Sequence, residues 1–272
     1  MKERGLVLCD LDGTIIDPHR GAPSYEDSAY QFISRKIGVP RNELDARMQL
    51  LKEHVLSNQE IYGWKINGLI VSPPADFIIV NQAAAELLVT QLSEEKSRFL
   101  SLPKEKEMDE FINEIFKNGA SGMKTFFREG AGEFVKKLSQ EGRFAIVTNS
   151  STERATEKIK ELVGENEIPI YGGAKKMVVD VNWEEGGIPL SQKPDGFPVT
   201  EYLRRPKYFA ILNERKPQVV IGDIRQLDLI LPEFMGIYTA LALSKYTPSW
   251  EIPHHTNNKN SVTFNEFQEL DL

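Results

Sequence analysis

The chain has 272 residues, a formal net charge of −7 at pH 7, 40% hydrophobic and 27% charged residues, and one cysteine. That length supports a sizeable core in one large domain or two smaller ones, with the balance of a soluble globular protein. The acidic total argues against a dominant nucleic-acid-binding surface, and the lone Cys9 excludes an intrachain disulfide or a cysteine-rich metal cluster.

The first apolar run, Leu6 to Cys9, is far shorter than a signal-peptide core and is followed at once by Asp10 and Asp12. Nowhere do about 18 uncharged apolar residues occur in a row, so no membrane span is expected. With cysteine so scarce, the expectation is a soluble cytoplasmic protein. The same run, bounded by a turn, predicts a short buried strand over residues 5–10.

Helical signals then dominate for about a hundred residues. SYEDSAYQFISRKIG opens on Ser24, a good cap, and closes on Gly38, while ELDARMQLLKEHVL repeats Leu44, Met48, Leu51 and Val55 along one face. The loop YGWKINGLIVSPP holds a brief strand signal at Leu69 to Val71, and ADFIIVNQAAAELLVTQL and MDEFINEIF follow as helices before KNGASG.

From about residue 128 strands and helices alternate. EFVKKLSQEG reads as helix, RFAIVTN as strand, STERATEKIKELVG as helix and IPIY as strand. Later QVVIGD reads as strand, LDLILPEF as helix and IYTALAL as strand, with HHTNNKNS as a polar loop. Ser150 and Glu153 have capping-box spacing, which predicts a helix start directly after Asn149. This alternation predicts a parallel α/β sheet. The core is expected over residues 1–16 and 128–272, interrupted by an all-helical insertion over 17–127.

Ligand sites in such sheets lie beyond the carboxyl ends of the strands. Three predicted strands end in polar residues there: Asp10 with Asp12, Thr148 with Asn149, and Gly222 with Asp223; Asp228 follows at the start of a helix. Carboxylates, hydroxyls and amides converging in this way form an oxygen-rich pocket suited to a hard cation such as Mg²⁺. Without a cation their mutual repulsion would be costly. Lys193, before a Pro-Asp-Gly turn, is the expected cationic partner. Lys175 and Lys176 are its rivals; they follow two glycines after a strand and lack that turn.

At these residues the chain resembles the haloacid dehalogenase-like (HAD) hydrolase superfamily. DLDGT matches its DxDGT signature, VTN its second motif, KPD the third, and GDIRQLD has the GDxxxxD form of the fourth. The motifs fall in family order across roughly residues 5–245, and GGAKKMVVDVNWEEGGIPLSQ before Lys193 reads as an extra excursion. The resemblance implies a Rossmann-like core with an inserted helical C1 cap, hinged near Pro18 and at residues 118–122, and a Mg²⁺-dependent phosphatase of a small phosphorylated metabolite. It makes Asp10 the nucleophile that forms an aspartyl-phosphate and Asp12 the acid and then the base. It also implies Mg²⁺ held by Asp10, the Asp12 carbonyl and Asp223, phosphoryl oxygens bound by Thr148, Asn149 and Lys193, and Asp228 orienting Lys193 or a metal-bound water.

Other signals carry less. Cys9 lacks the arginine-bearing loop of a cysteine phosphatase, and no GxxxxGK[ST] loop occurs. His254 and His255 read as exposed loop residues; Trp64 and Lys65 read as packing or, less simply, substrate contacts. A phosphomutase, which returns the phosphoryl group to a sugar, is the alternative enzyme. A non-catalytic HAD-fold binding protein would be expected to have lost some of Asp10, Asp12, Lys193 or Asp223. Dehalogenation has no use for the acid at Asp12. Oligomeric state is left open.

Overall fold

The computed structural model describes residues 5–66, 68–95, 101–104, 107–165 and 167–272; Asn67, in the expected 62–74 loop, lies outside them. The chain divides into two compact units, one of Met1–Pro18, Lys65–Ser72 and Phe126–Leu272, the other of His19–Trp64 and Pro73–Thr125. Residues 65–72, expected within the insertion, therefore pack with the sheet-bearing unit. Among the described residues no helix is long and apolar enough to cross a membrane.

The sheet-bearing unit contains a six-stranded sheet built from β1 (Val7–Cys9), β4 (Phe144–Val147), β5 (Ile170–Tyr171), β8 (Val219–Gly222), β9 (Tyr238–Ala242) and β10 (Ser261–Phe264). Its order is β10-β9-β8-β1-β4-β5, and every paired neighbour is parallel. The register aligns Cys9 with both Ile146 and Ile221, so β1, β4 and β8 end side by side. Period-two alternation assigns the two faces. Val7 and Cys9 join Ile146, Ile221 and residues of α5 (Ala131–Gln140) and α6 (Thr152–Val163) in one apolar layer. Leu8 joins Ala145, Val147 and Val220 with residues of α7 (Pro206–Arg215) and α9 (Ile230–Phe234) in the other. Helices on both faces explain why these strands are apolar throughout. The excursion at 172–192 leads into a small antiparallel ribbon, β6 (Ser191–Gln192) with β7 (Glu201–Tyr202). The segment LDLILPEF is two short helices, α8 (Arg225–Asp228) and α9, rather than one.

The second unit is carried by α1 (Pro18–Ile37), α2 (Arg41–Leu56), α3 (Phe77–Glu94) and α4 (Met108–Gly122). The two short strands β2 (Trp64–Ile66) and β3 (Leu69–Ser72) interrupt the expected all-helical block. Leu44, Met48, Leu51 and Val55 are buried on one face of α2, as their spacing requires. Asp76 caps α3 by accepting the Ile79 N–H at 2.6 Å. Ser24 does not cap α1: the helix begins six residues earlier, and the Ser24 hydroxyl donates back to the Gly21 carbonyl at 2.9 Å. KNGASG, expected as a hinge loop, is the end of α4, where Gly119 meets the Tyr25 ring with no room for a Cβ.

The carboxyl-terminal part of the sheet unit also departs from a polar loop. Residues 251–257 form α10, and His255 and Glu251 are fully buried beneath it. Glu251 shares a charged cluster with Arg225, Glu201 and Glu233; His255 Nε2 lies 3.1 Å from Glu233. Burial pushes the Glu251 carboxyl up to about 8; Arg225 opposes the shift, and Glu201 and Glu233 add to it. The folded chain thus keeps this proton to about pH 8, whereas the unfolded chain releases it near the ordinary value of 4.5. Stability is lost as pH rises through that window and is level above it. Glu251→Gln escapes this loss, so its stability relative to the parent should improve by a few kcal/mol between pH 5 and pH 9. Urea unfolding at both pH values measures it; an unchanged difference would place the Glu251 titration in the ordinary range.

Candidate active site

β1 runs into Asp10, whose N–H still donates to the Ile221 carbonyl of β8 at 2.8 Å. The chain then folds back: the N–H groups of Ile15 and Ile16 both donate to the Leu11 carbonyl, at 3.1 and 2.9 Å. Gly13 lies in the left-handed region at φ +96°, and a Cβ there would fall 2.1 Å from an Asp223 carboxylate oxygen. Glycine is required at this position twice over, for the turn and for the close approach. The turn delivers Thr14, whose hydroxyl donates to Asp223 Oδ1 at 3.0 Å and lies 3.4 Å from Asp10 Oδ2. Arg128 fastens the same turn, donating to the carbonyls of Gly13 and Thr14 at 2.8 and 2.9 Å and to those of Leu243 and Asn265 at 3.1 Å.

Beyond the strand ends, Asp10, Asp223 and Asp228 each present a carboxylate oxygen within 4.8 Å of the others, and all three are buried. The cation among them is Lys176. Its side chain is 1% exposed, and its ammonium donates to both Asp10 and Asp228 and to the Val147 carbonyl at 3.2 Å. Asp228 also accepts the Ile224 N–H at 3.1 Å through its second oxygen. Burial pushes the Asp10 carboxyl up to about 7 against the pull of Lys176, and the charges of Asp228 and Asp12 push it further. Burial would lower the Lys176 ammonium, but Asp10 and Asp228 reverse that and hold it above the usual range.

Lys193 does not take this place. It is exposed after β6 and forms no ion pair among the described residues. The ribbon of β6 and β7 lies outside the six-stranded sheet, whereas Lys176 lies in the loop that leaves β5, whose end flanks that of β4. A Pro-Asp-Gly turn imitated the expected sequence context. The signal that finds Lys176 is its position shortly after the predicted strand IPIY, which the structure pairs with β4.

Asp12 stands apart from the three converging carboxylates in its contacts. It accepts from Ser150 Oγ at 2.6 Å and from Lys158 Nζ at 2.5 Å. Burial would raise its pKa, but Lys158, Ser150 and Arg154 together hold it below the ordinary value. Ser150 is therefore not the helix cap that its spacing to Glu153 predicts: Ser151 caps α6, and Ser150 serves Asp12 instead. Thr148 is buried at the end of β4, where its hydroxyl accepts the Ser150 N–H at 3.1 Å. Asn149 accepts the Lys176 N–H at 2.7 Å, which fixes the loop carrying that lysine. Cys9 is fully buried and its thiol is pushed well up by burial and by Asp10, so it is no nucleophile.

Three oxygen-donor carboxylates facing one ammonium leave an excess of negative charge, and a hard divalent cation fits that donor set. Asp10 and Asp223, both expected as ligands from the sequence, lie in this group. Asp228 joins them here as well as pairing with Lys176.

A doubly covered parallel sheet thus ends in an Asp-x-Asp turn, with a buried lysine and two further aspartates gathered beside it. The chain belongs to the haloacid dehalogenase-like hydrolase family, whose model matches residues 5–182. No curated protein matches it significantly. Among solved structures it resembles a predicted phosphoglycolate phosphatase from Haemophilus somnus 129PT at 15% identity and TM-score 0.56, over 99% of this chain and 97% of that one. A candidate phosphoglycolate phosphatase from Lactobacillus delbrueckii subsp. bulgaricus is 16% identical with TM-score 0.52, covering 99% and 97%. A candidate haloacid dehalogenase-like hydrolase from Bacteroides fragilis is 13% identical with TM-score 0.52, covering 99% and 100%. At these identities the likeness speaks to the fold.

The two lysines should separate sharply in stability. Lys176→Met leaves Asp10 and Asp228 buried without their cation and should cost on the order of 3 kcal/mol. Lys193→Met should stay within about 0.5 kcal/mol of the parent. Denaturant unfolding in the presence of a chelator measures both.

Proposed function

We propose that the chain is a Mg²⁺-dependent phosphatase that hydrolyses a small phosphorylated metabolite through an aspartyl-phosphate on Asp10. The observation that carries this reading is the Asp10 carboxylate itself: buried at the tip of a central strand, it is held by Lys176 within a group of carboxylates fit for a divalent cation. A nucleophilic carboxylate and an anionic phosphate repel each other, and positive charge at the strand ends offsets that repulsion. Asp10 and Asp223 would hold Mg²⁺ through their carboxylates, and the ion would supply Lewis-acid stabilisation of the charge on the phosphoryl oxygens.

The chain's own residues divide the remaining work. An Asp10 oxygen attacks phosphorus as the bond to the leaving oxygen breaks, and Asp12 gives that oxygen its proton. Water then attacks phosphorus, its proton passes to Asp12, and the bond from phosphorus to Asp10 breaks. Splitting one displacement into two is the gain of covalent catalysis. The contacts from Ser150 and Lys158 favour the ionised form of Asp12, the form that the hydrolytic half needs. For the first half it must take up a proton, which the arriving phosphate dianion favours by adding negative charge. Thr148 and Lys176 line the phosphoryl side, with Lys176 in the place first expected of Lys193. Phosphoglycolate, named for two of the structural neighbours, is one phosphomonoester of the size this reading calls for.

Aryl phosphate hydrolysis should require Mg²⁺ and stop when the metal is chelated. Asp10→Asn, nearly identical in shape, should fold normally and lose at least about a thousandfold in kcat. Substantial turnover by that variant would remove Asp10 from the nucleophile's role. Labelled phosphate released free, rather than found on an isomeric sugar phosphate, distinguishes the phosphatase from a phosphomutase.

A further inference from the structure

Arg205 is fully buried, burial lowers its pKa to about 10, and among the described residues no carboxylate is a hydrogen-bond partner of it. The guanidinium instead donates to four backbone carbonyls. They belong to Tyr202 at 3.1 Å, Lys176, Leu227 at 3.2 Å and Val71 at 3.4 Å. Two of these acceptors matter for the site. One is the carbonyl of Lys176 itself, and the other lies one residue before Asp228. One helical turn further along the same segment, the Tyr208 hydroxyl donates to the Asp228 carbonyl at 2.6 Å.

We infer that Arg205 and Tyr208 form a clamp on the main chain that positions Lys176 and Asp228 against Asp10. Desolvating a guanidinium to bind only carbonyls is costly, and a planar fork reaching several acceptors makes that cost useful where backbone positions must be fixed. Lys176 is held from both sides: its N–H by Asn149 at 2.7 Å and its carbonyl by Arg205. α8 is held through Leu227 and Asp228. Neither Arg205 nor Tyr208 touches the reacting atoms, so both are positioning residues. The inference rests on the phosphatase reading only for its kinetic consequence; the clamp itself acts on the contact of Lys176 with two aspartates.

The test uses the full chain, labelled with ¹³C at lysine Cε, with the Lys176 resonance assigned by its loss in Lys176→Met. In Arg205→Lys, which keeps the charge without the fork, that resonance should move. It should also move, less far, in Tyr208→Phe, which removes one hydroxyl from a buried ring and leaves its packing in place. In aryl phosphate hydrolysis, Arg205→Lys should lower kcat about 10- to 100-fold, the scale of small misplacements, with KM within about twofold. Tyr208→Phe should lower kcat several-fold with KM unchanged. A purely structural role would reduce the folded fraction and leave kcat per folded molecule and the Lys176 resonance alone. If Arg205→Lys does not fold, Tyr208→Phe decides by the same readouts. An unmoved Lys176 resonance in a folded variant overturns the clamp whatever the activity. A displaced resonance in a protein that hydrolyses no phosphomonoester upholds the clamp and removes the phosphatase reading.

Discussion

Parallel strands bring their carboxyl ends to one edge, and in this chain the ends of β1 and β8 carry acid, with a third aspartate in the helix that follows β8. Asp10, Asp223 and Asp228 are buried within 4.8 Å of one another, where like charges repel most strongly. The ammonium of Lys176 answers this crowding, and the surrounding structure is arranged to bring it there. β5 must lie beside β4 for the lysine to enter, and the main chain on either side of its Cα is tied to Asn149 and Arg205. The negative charge that one ammonium does not offset makes this a donor set that suits a divalent cation.

The sequence made the core of this arrangement legible. Short apolar runs ending in acid or hydroxyl residues mark β1, β4 and β8, because strands buried on both faces have no polar positions until they reach the ligand edge. Spacing alone was weaker where several candidates shared a local pattern. Lys193 has the more persuasive neighbours and Lys176 the correct strand, and only three-dimensional pairing tells them apart. Ser150 and Ser151 pose the same problem at single-residue scale: either could cap α6, and the hydroxyl that Ser150 donates to Asp12 leaves the cap to Ser151. Arg205 was invisible for a different reason. Its partners are backbone carbonyls, and a backbone carbonyl leaves no residue-type signature.

The carboxyl-terminal helix α10 shows the limit of polarity as a guide to exposure. HHTNN is polar, yet His255 and Glu251 are buried, because Arg225 and Glu233 lie there to meet them. Arg225 sits between Asp223 and Asp228 in sequence and turns the other way, pairing with Glu201 and Glu233. The four-residue helix α8 therefore carries acid toward the strand ends and base into the cluster beneath α10.

The chain crosses between its two units at 18/19, 64/65, 72/73 and 125/126, not twice as a simple insertion would. The helical unit is therefore not a cassette. Joining residue 18 to residue 126 would excise β3 as well, and with it the Val71 carbonyl that takes one arm of Arg205. A lineage that shortened or exchanged its helical unit would have to retain this strand or replace its acceptor. In the history of such a protein, the eight residues 65–72 belong with the sheet they pack on rather than with the helices that flank them in the chain.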